Sequence, residues 1–347
     1  MPELLAHHTT LRLGGPAGEF AEATTETELI ERVSAADAAG TPLLLLSGGS
    51  NLVVADAGFP GIVVKVATTG ISPDVDATEA AVCGGVLVRV AAGESWDVLV
   101  ERAVQSRWVG VEALSGIPGA VGSTPIQNVG AYGQEVSQTI ASVRVWDRRL
   151  QGIRTFANAE CSFGYRHSRF KADPQRFVVL SVDFQFRVGD LGAPVAYAEL
   201  ARALGVDQGA RAPLADVRRA VLALRAGKGM VLDPDDHDTW SAGSFFTNPL
   251  LSTAQADALP DGAPRWAQPD GTVKTSAAWL IEHAGFSKGY GNDRVSLSTK
   301  HTLALTNRGS ATTADLVRLA LEVRDGVELA FGVRLVNEPV LVGCRLD

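Results

Sequence analysis

Glycine supplies 36 of the 347 residues, and where it falls constrains this chain more than any other feature. The glycines concentrate in Ser47-Gly-Gly-Ser-Asn51, at Gly84 and Gly85, and from Gly116 to Gly133. Smaller groups stand at Gly227/Gly229 and from Gly285 to Gly291. No internal repeat of roughly 20–50 residues and no Gly/Ser linker accounts for them. Glycine so grouped serves a backbone that must turn sharply or lie close against something.

The remaining composition is that of an ordinary globular protein, 46% hydrophobic and 20% charged, and it excludes global disorder. At about 150 residues per domain the length suggests two to three domains. No apolar run approaches the ~18 residues of a membrane span, and the N-terminus carries no recognisable secretory signal. Three cysteines, Cys83, Cys161 and Cys344, stand far apart with no CxxC pair, which fits a reducing cytosol and argues against a structural zinc site. A net charge of −8 disfavours nucleic acid or anionic membrane as partner. It leaves room for a local basic pocket.

Apolar periodicity predicts an irregular alternation of helices and strands, hence an α+β fold. Thr25-Glu-Thr-Glu28 reads as a capping box for a helix that Gly40 stops. Leu43–Leu46 reads as a buried strand, followed by strands at Leu52–Val54 and Ile62–Val66. Further helices fit Ser95–Arg107, Asp216–Arg225, Ser276–Ala284 and Thr313–Ala330. In the strand Phe177–Arg187, Leu180, Val182, Phe184 and Phe186 alternate with polar residues and should share one face. The acidic Asp233-Pro-Asp-Asp-His-Asp238 is the best single candidate for a domain boundary.

Five segments could carry chemistry. Ser47-Gly48-Gly49-Ser50-Asn51 can aim successive N–H groups at a phosphate, and a tight hairpin turn explains it as simply. Leu114–Gly133 holds five glycines, two prolines and no formal charge, which suits a ligand-wrapping loop better than a plain surface loop. Cys161–Lys171 gathers Arg166, Arg169 and Lys171 among Phe163, Tyr165 and Phe170. Arg169 reads as part of a solvated basic face, whereas an arginine buried among these aromatics needs an anion, either a ligand or an internal carboxylate. Ser244 precedes Phe245 and Phe246 and is either a proton donor in a dry pocket or a turn serine. Glu338, flanked by apolar residues, is either a functional carboxylate or half of a structural ion pair. The six histidines have no metal-ligand spacing, so no metal is expected.

Together and in this order, the five segments resemble the UDP-N-acetylenolpyruvoylglucosamine reductase family of flavin enzymes. The resemblance runs from Thr10-Leu-Arg-Leu-Gly-Gly-Pro-Ala17 to Glu338-Pro-Val. The longer, first type of the family is indicated by Tyr165-Arg166-x-Ser168-x-Phe170-Lys171 and by Pro194-Val-Ala-Tyr197-Ala-Glu-Leu200. The resemblance implies an FAD-binding unit of the vanillyl-alcohol oxidase type in two lobes, 1–67 (joined by 337–347) and 68–226, plus a smaller α+β substrate domain, 227–336. Non-covalent FAD would be held by Ser47, Gly48, Gly49, Ser50 and Asn51, and by Gly116, Ile117, Pro118, Gly119, Gly122, Ser123, Gln127, Asn128, Gly130, Ala131 and Tyr132. NADPH would be the reductant and UDP-N-acetylglucosamine enolpyruvate the substrate, receiving hydride at C3 and a proton at C2. The resemblance makes Ser244 the proton donor and Arg166 with Glu338 the pair that polarises the enolpyruvyl carboxylate. Tyr165, Tyr197, Lys228, Asn248 and Lys274 become substrate contacts. A cytoplasmic monomer, without nucleic-acid partner or membrane insertion, is expected.

Departures from the family pattern are few. Ser47 stands where a third glycine often precedes the pair, and Ser123 where many members carry glycine. His301 stands in a region that often contacts substrate in the family. The rival reading is a related FAD oxidase of aldonolactones or hydroxy acids. Several of those tether the flavin through His or Cys, and the stretch from Ser47 to Gly61 has neither. A non-catalytic flavin-binding module would have no reason to keep Arg166, Ser244 and Glu338.

Overall fold

The structure is a computed structural model that describes residues 2–74 and 85–347; Cys83 and Gly84 lie outside them. Contacts group the chain into two compact units. A middle unit comprises Glu19–Gly48 and Gly61–Ala226, and a terminal unit comprises Met1–Gly18, Gly49–Pro60 and Gly227–Asp347.

In the middle unit the helix Glu26–Ala39 starts at the expected capping box. The Thr25 hydroxyl accepts from the Glu28 N–H at 3.2 Å, the Glu28 carboxylate accepts from the Thr25 N–H at 3.3 Å, and Gly40 ends the helix in the left-handed region. Such a cap contributes about 1 kcal/mol. Leu29 and Val33 of this helix pack with Val64, Val178 and Leu180. Leu43–Leu46 pairs in parallel with Phe59–Val66 at the edge of a three-stranded sheet completed by Ala17–Ala23. Because it lies at an edge, only Leu46 of this strand is buried; the other three leucines are half-buried, contrary to the buried-strand expectation. The hairpin alternative for Ser47–Asn51 fails as well. Leu52–Val54 does not return beside Leu43–Leu46, but pairs in parallel with Val340–Val342 in the terminal unit.

The larger sheet of the middle unit runs Gly152–Ala157, Ile140–Asp147, Phe177–Val188, Gly85–Ala91, Ile71–Asp74, with Trp108–Val109 also pairing to Phe177–Val188. The expected single face of Phe177–Val188 does not hold along its length. Arg144 pairs with Ser181 and Val145 with Val179, so Leu180 is an extra residue on its strand. One inserted residue reverses the alternation. Hence Val178 and Leu180 face the first helix, while Phe177, Val179, Val182, Phe184 and Phe186 share the second core. The helix Trp96–Gln105 buries Trp96, Leu99, Val100 and Ala103, as its periodicity predicts, in that second core. A third, smaller core joins the helices Ala198–Leu204 and Leu214–Gly227 through Val195, Leu200, Val217 and Val221.

In the terminal unit Leu11 and Val53 pack in a core with Phe245, Phe246, Leu280, Leu316, Val323 and Leu335. The helix Thr313–Phe331 supplies the stripe Leu316, Leu319, Ala320, Val323 and Val327, and a shorter helix spans Ala277–His283. A three-stranded sheet runs in the order Leu250–Leu251, Val273–Lys274, Trp266–Ala267, and Val295–Leu297 pairs with Leu305–Asn307. The acidic stretch at 233–238 is built into this unit. Asp238 is buried, accepting from the Thr299 N–H at 2.9 Å and from Arg308 at 2.9 Å. Sheets and helices are segregated in both units, as the α+β reading requires. Among the described residues no helix is long and apolar enough to cross a membrane.

Phe184 tests the second core. It is fully buried, stacked on Phe186 at 5.5 Å and tilted against Trp96 at 6.2 Å. Phe184→Ala should cost about 3–5 kcal/mol in urea unfolding; a loss under about 1 kcal/mol would mean that the core is not packed as described.

Candidate active site

In the middle unit two glycine loops touch backbone to backbone. A Cβ built on Gly48 would stand 2.6 Å from Gly119 Cα, and one on Gly122 would stand 2.6 Å from the Ala92 methyl. No side chain fits at either position. The Ser47 and Ser123 hydroxyls join the loops directly at 2.7 Å, so the two departures from the glycine pattern form a contact with each other.

The loop after Leu114 is held from the start of the helix Trp96–Gln105. The Trp96 N–H donates to the Gly119 carbonyl and its indole N–H to the Leu114 carbonyl, both at 3.0 Å. The Gly116 N–H donates to Asp97 Oδ1 at 2.6 Å, so that amide is already used within the protein. Arg218 grips the same carboxylate through two bonds of 2.7 and 2.9 Å. Burial works against the Asp97 carboxylate, but the hydrogen bonds from Arg218 and Gly116 outweigh it and hold its pKa below the usual value. The N–H groups of Gly48 and Gly119 make no hydrogen bond to protein among the described residues. Two spare amides, at a point where Gly48 has no room for a Cβ, are the donor set a diphosphate needs, so these residues fit the flavin cofactor that the motifs imply.

Farther along, Gly130–Ala131 pairs with Gln134–Glu135 across a two-residue turn in which Tyr132 and Gly133 both have positive φ, +50° and +85°. Asn128 (φ +47°) is buried; its side chain donates to Glu135 at 2.8 Å and to the Gly164 carbonyl at 3.1 Å. Arg166 (φ +50°) reaches back to this loop, donating to the Gly130 carbonyl at 2.9 Å, and its guanidinium lies 5.5 Å from the Tyr165 ring. Of seven non-glycine residues with positive φ among the described ones, three are therefore expected site residues. Such backbone costs about 1 kcal/mol or more per residue and persists only where surroundings impose it. The basic cluster does not converge as three cations. Arg169 donates to the Glu160 carbonyl at 2.6 Å and Lys171 to the Arg166 carbonyl at 3.0 Å, which leaves Arg166 as the member that faces the glycine loop. Tyr197, 53% exposed, packs edge-on against Tyr132 at 5.9 Å. Burial raises the Tyr132 phenol pKa, keeping it protonated.

The terminal unit brings three expected residues together. The Glu338 N–H donates to the Phe245 carbonyl at 2.8 Å, and Phe246 bridges to Asn337, so Ser244 and Glu338 lie at neighbouring positions on paired segments. Asn51 closes the group: its backbone carbonyl accepts from Val340 at 2.9 Å and its amide donates to the Glu338 carbonyl at 3.4 Å. The Ser244 hydroxyl is half-buried and makes no hydrogen bond to protein among the described residues. Gly49 (φ +58°) is packed so that a Cβ would meet the His8 carbonyl at 1.8 Å. Asn248 Oδ1 accepts the Ala277 N–H at 2.9 Å, at the start of a helix. Lys228 and Lys274 are half-buried, the latter between Leu250 and Trp266 in the small sheet.

Sequence reasoning missed Asp97 and Arg218, and also Glu112. Glu112 is buried and accepts from the Gly110 and Ala193 amides at 2.7 and 2.6 Å and from Gln134 at 2.9 Å, tying the glycine-loop region to the stretch before Tyr197. An acidic residue in a helix first turn has an ordinary explanation in the helix dipole, which is why Asp97 carried no signal.

Comparison with known proteins places this architecture. Residues 18–150 match the model of an FAD binding domain, and residues 233–342 that of the UDP-N-acetylenolpyruvoylglucosamine reductase C-terminal domain. The UDP-N-acetylenolpyruvoylglucosamine reductase of Cutibacterium acnes is 57% identical over 99% of this chain and 90% of its own length. That of Thermobifida fusca is 56% identical over 99% and 97%. The crystal structure of the Thermus caldophilus UDP-N-acetylenolpyruvylglucosamine reductase shares the fold, with a TM-score of 0.62 at 23% identity over 99% of this chain and 98% of that one. The two loops, the carboxylate and the serine thus sit in a chain that belongs to the UDP-N-acetylenolpyruvoylglucosamine reductase family.

Proposed function

We propose that this chain reduces UDP-N-acetylglucosamine enolpyruvate to UDP-N-acetylmuramate with NADPH through non-covalent FAD, in peptidoglycan precursor synthesis. The observation that carries the reading is the backbone pairing of the Ser244 and Glu338 segments, with Asn51 of the glycine turn bonded to the Glu338 carbonyl. A proton-donating hydroxyl, a carboxylate and the end of a cofactor loop then lie on one piece of structure. Family membership supplies the substrate class.

FAD, when bound, supplies a two-electron carrier between NADPH and the enolpyruvyl carbon. The protein's part is to hold and to polarise. The amides of Gly48 and Gly119 receive the diphosphate, with the other expected residues of the two glycine loops around it. Hydride addition at C3 pushes negative charge from C2 toward the substrate carboxylate. Arg166 stabilises that charge, and a cation fixed in advance favours the transition state over the ground state; Glu338 acts with it in polarising the substrate carboxylate. Ser244 delivers the proton to C2. A serine hydroxyl is a weak acid, so it acts only beside that stabilised charge. Tyr165, Tyr197, Lys228, Asn248 and Lys274 bind the sugar nucleotide. The functional segments are 1–67 with 337–347, 68–226 and 227–336, and a compact unit can hold parts of more than one. The enzyme works as a cytoplasmic monomer.

Two outcomes test this reading. Ser244→Ala should leave flavin reduction by NADPH within about twofold of wild type and slow reoxidation by the enolpyruvyl nucleotide by about 10²–10⁴-fold, followed by stopped-flow absorbance; unchanged reoxidation removes the proton-donor role. Gly48→Ala puts a methyl against Gly119 backbone and should raise the FAD dissociation constant at least about tenfold. Gly40→Ala, whose Cβ meets nothing within 4 Å, should leave FAD binding intact. Equal FAD binding by both variants would dissociate the loop contact from the cofactor.

A further inference from the structure

The loop that presents the Gly119 amide is fixed at three points by one turn of helix, and only one of those points carries charge. Trp96 supplies two bonds to carbonyls, Gly119 and Leu114. Asp97 supplies the third, to the Gly116 N–H, and it is the shortest at 2.6 Å. The carboxylate does not act alone. Arg218, on the helix Leu214–Gly227, takes both of its oxygens, and the Arg218 side chain is only 14% exposed against 37% for Asp97. The same helix places Val217 and Val221 in a core with Val195 and Leu200, on either side of Tyr197, and Tyr132 of the glycine loop packs against that core. One ion pair therefore ties the flavin-side loop to the helix Leu214–Gly227, which shares a core with the residues that flank Tyr197.

We propose that Asp97 and Arg218 are a pair of positioning residues that set the backbone of the flavin-side loop, Asp97 by accepting the Gly116 amide and Arg218 by orienting and neutralising Asp97. Both functions follow from charge. Gly116 has φ +71°, a conformation the loop holds because its N–H is anchored. An unneutralised carboxylate at this point would oppose an anionic ligand bound by the neighbouring amides; Arg218 cancels it through a bidentate contact. Arg218 thus matters to the cofactor without needing to touch it.

The inference rests on the FAD reading above, and the test separates the two. FAD dissociation constants and the visible flavin spectrum are measured for wild type, Asp97→Ala, Asp97→Asn, Arg218→Ala and the double variant Asp97→Asn/Arg218→Ala, with circular dichroism as the check on folding. Asp97→Ala should weaken FAD binding by about 10- to 100-fold, the worth of one charge-assisted hydrogen bond. Asp97→Asn keeps an acceptor for Gly116 and should recover binding to within about threefold of wild type. Arg218→Ala should weaken binding at least about tenfold, and adding Asp97→Asn to it should restore most of the loss, because the stranded charge is then gone. If Asp97→Ala does not fold, the Arg218 pair of variants carries the test. Wild-type FAD affinity in Arg218→Ala, or a double variant weaker than Arg218→Ala alone, overturns the proposal. Wild type that binds no FAD overturns the functional reading on which it stands.

Discussion

The close approach of Gly48 to Gly119 is the contact on which the proposed cofactor site depends. A Cβ on Gly48 would stand 2.6 Å from Gly119 Cα, so Gly48 can carry no side chain there, and the loops cannot drift apart without opening a gap. Much of the surrounding structure serves to keep the loops in place. The edge strand Leu43–Leu46 delivers one loop and the helix Trp96–Gln105 holds the other through Trp96 and Asp97. That helix is fixed in turn by burying Trp96, Leu99, Val100 and Ala103 in the core beneath the large sheet. Packing far from the ligand thus becomes precision at two backbone amides.

The proposed site reconciles an anionic cofactor with a chain of net charge −8. Its donors are backbone N–H groups, which are independent of net charge. Several arginines are committed elsewhere, as Arg176 is to Asp147 and Arg308 to Asp238. Arg166 is held by carbonyls of the glycine loop rather than left on the surface, and its own backbone sits in a sparsely populated conformation. Asn128 and Tyr132 share that conformation, so the strain gathers at positions the proposed chemistry uses.

Much of this was legible in the residues. Capping at Thr25, the stripe of Thr313–Phe331 and the buried face of Trp96–Gln105 follow from spacing alone, because helix periodicity is a local property. Leu180 departs from the alternation because a bulge is set by the partner strand, and no pattern within Phe177–Val188 announces it. The connection between Leu43–Leu46 and Leu52–Val54 was ambiguous for a related reason: pairing with Val340–Val342 joins residues nearly 300 positions apart. Ser244 and Glu338 were found as separate motifs, and their adjacency on paired segments needed the fold. Asp97 and Arg218 lie more than a hundred residues apart, each ordinary on its own helix, and only their contact distinguishes them.

In the proposed reaction one bound flavin passes electrons from NADPH to an enolpyruvyl sugar nucleotide. Anaerobic stopped-flow tests it most directly: the purified holoprotein is reduced with one equivalent of NADPH, then mixed with UDP-N-acetylglucosamine enolpyruvate or, as control, with UDP-N-acetylglucosamine. NADPH should bleach the flavin absorbance, and the enolpyruvyl nucleotide alone should restore it in full. Flavin that stays reduced with both nucleotides, and returns only when oxygen is admitted, would contradict it.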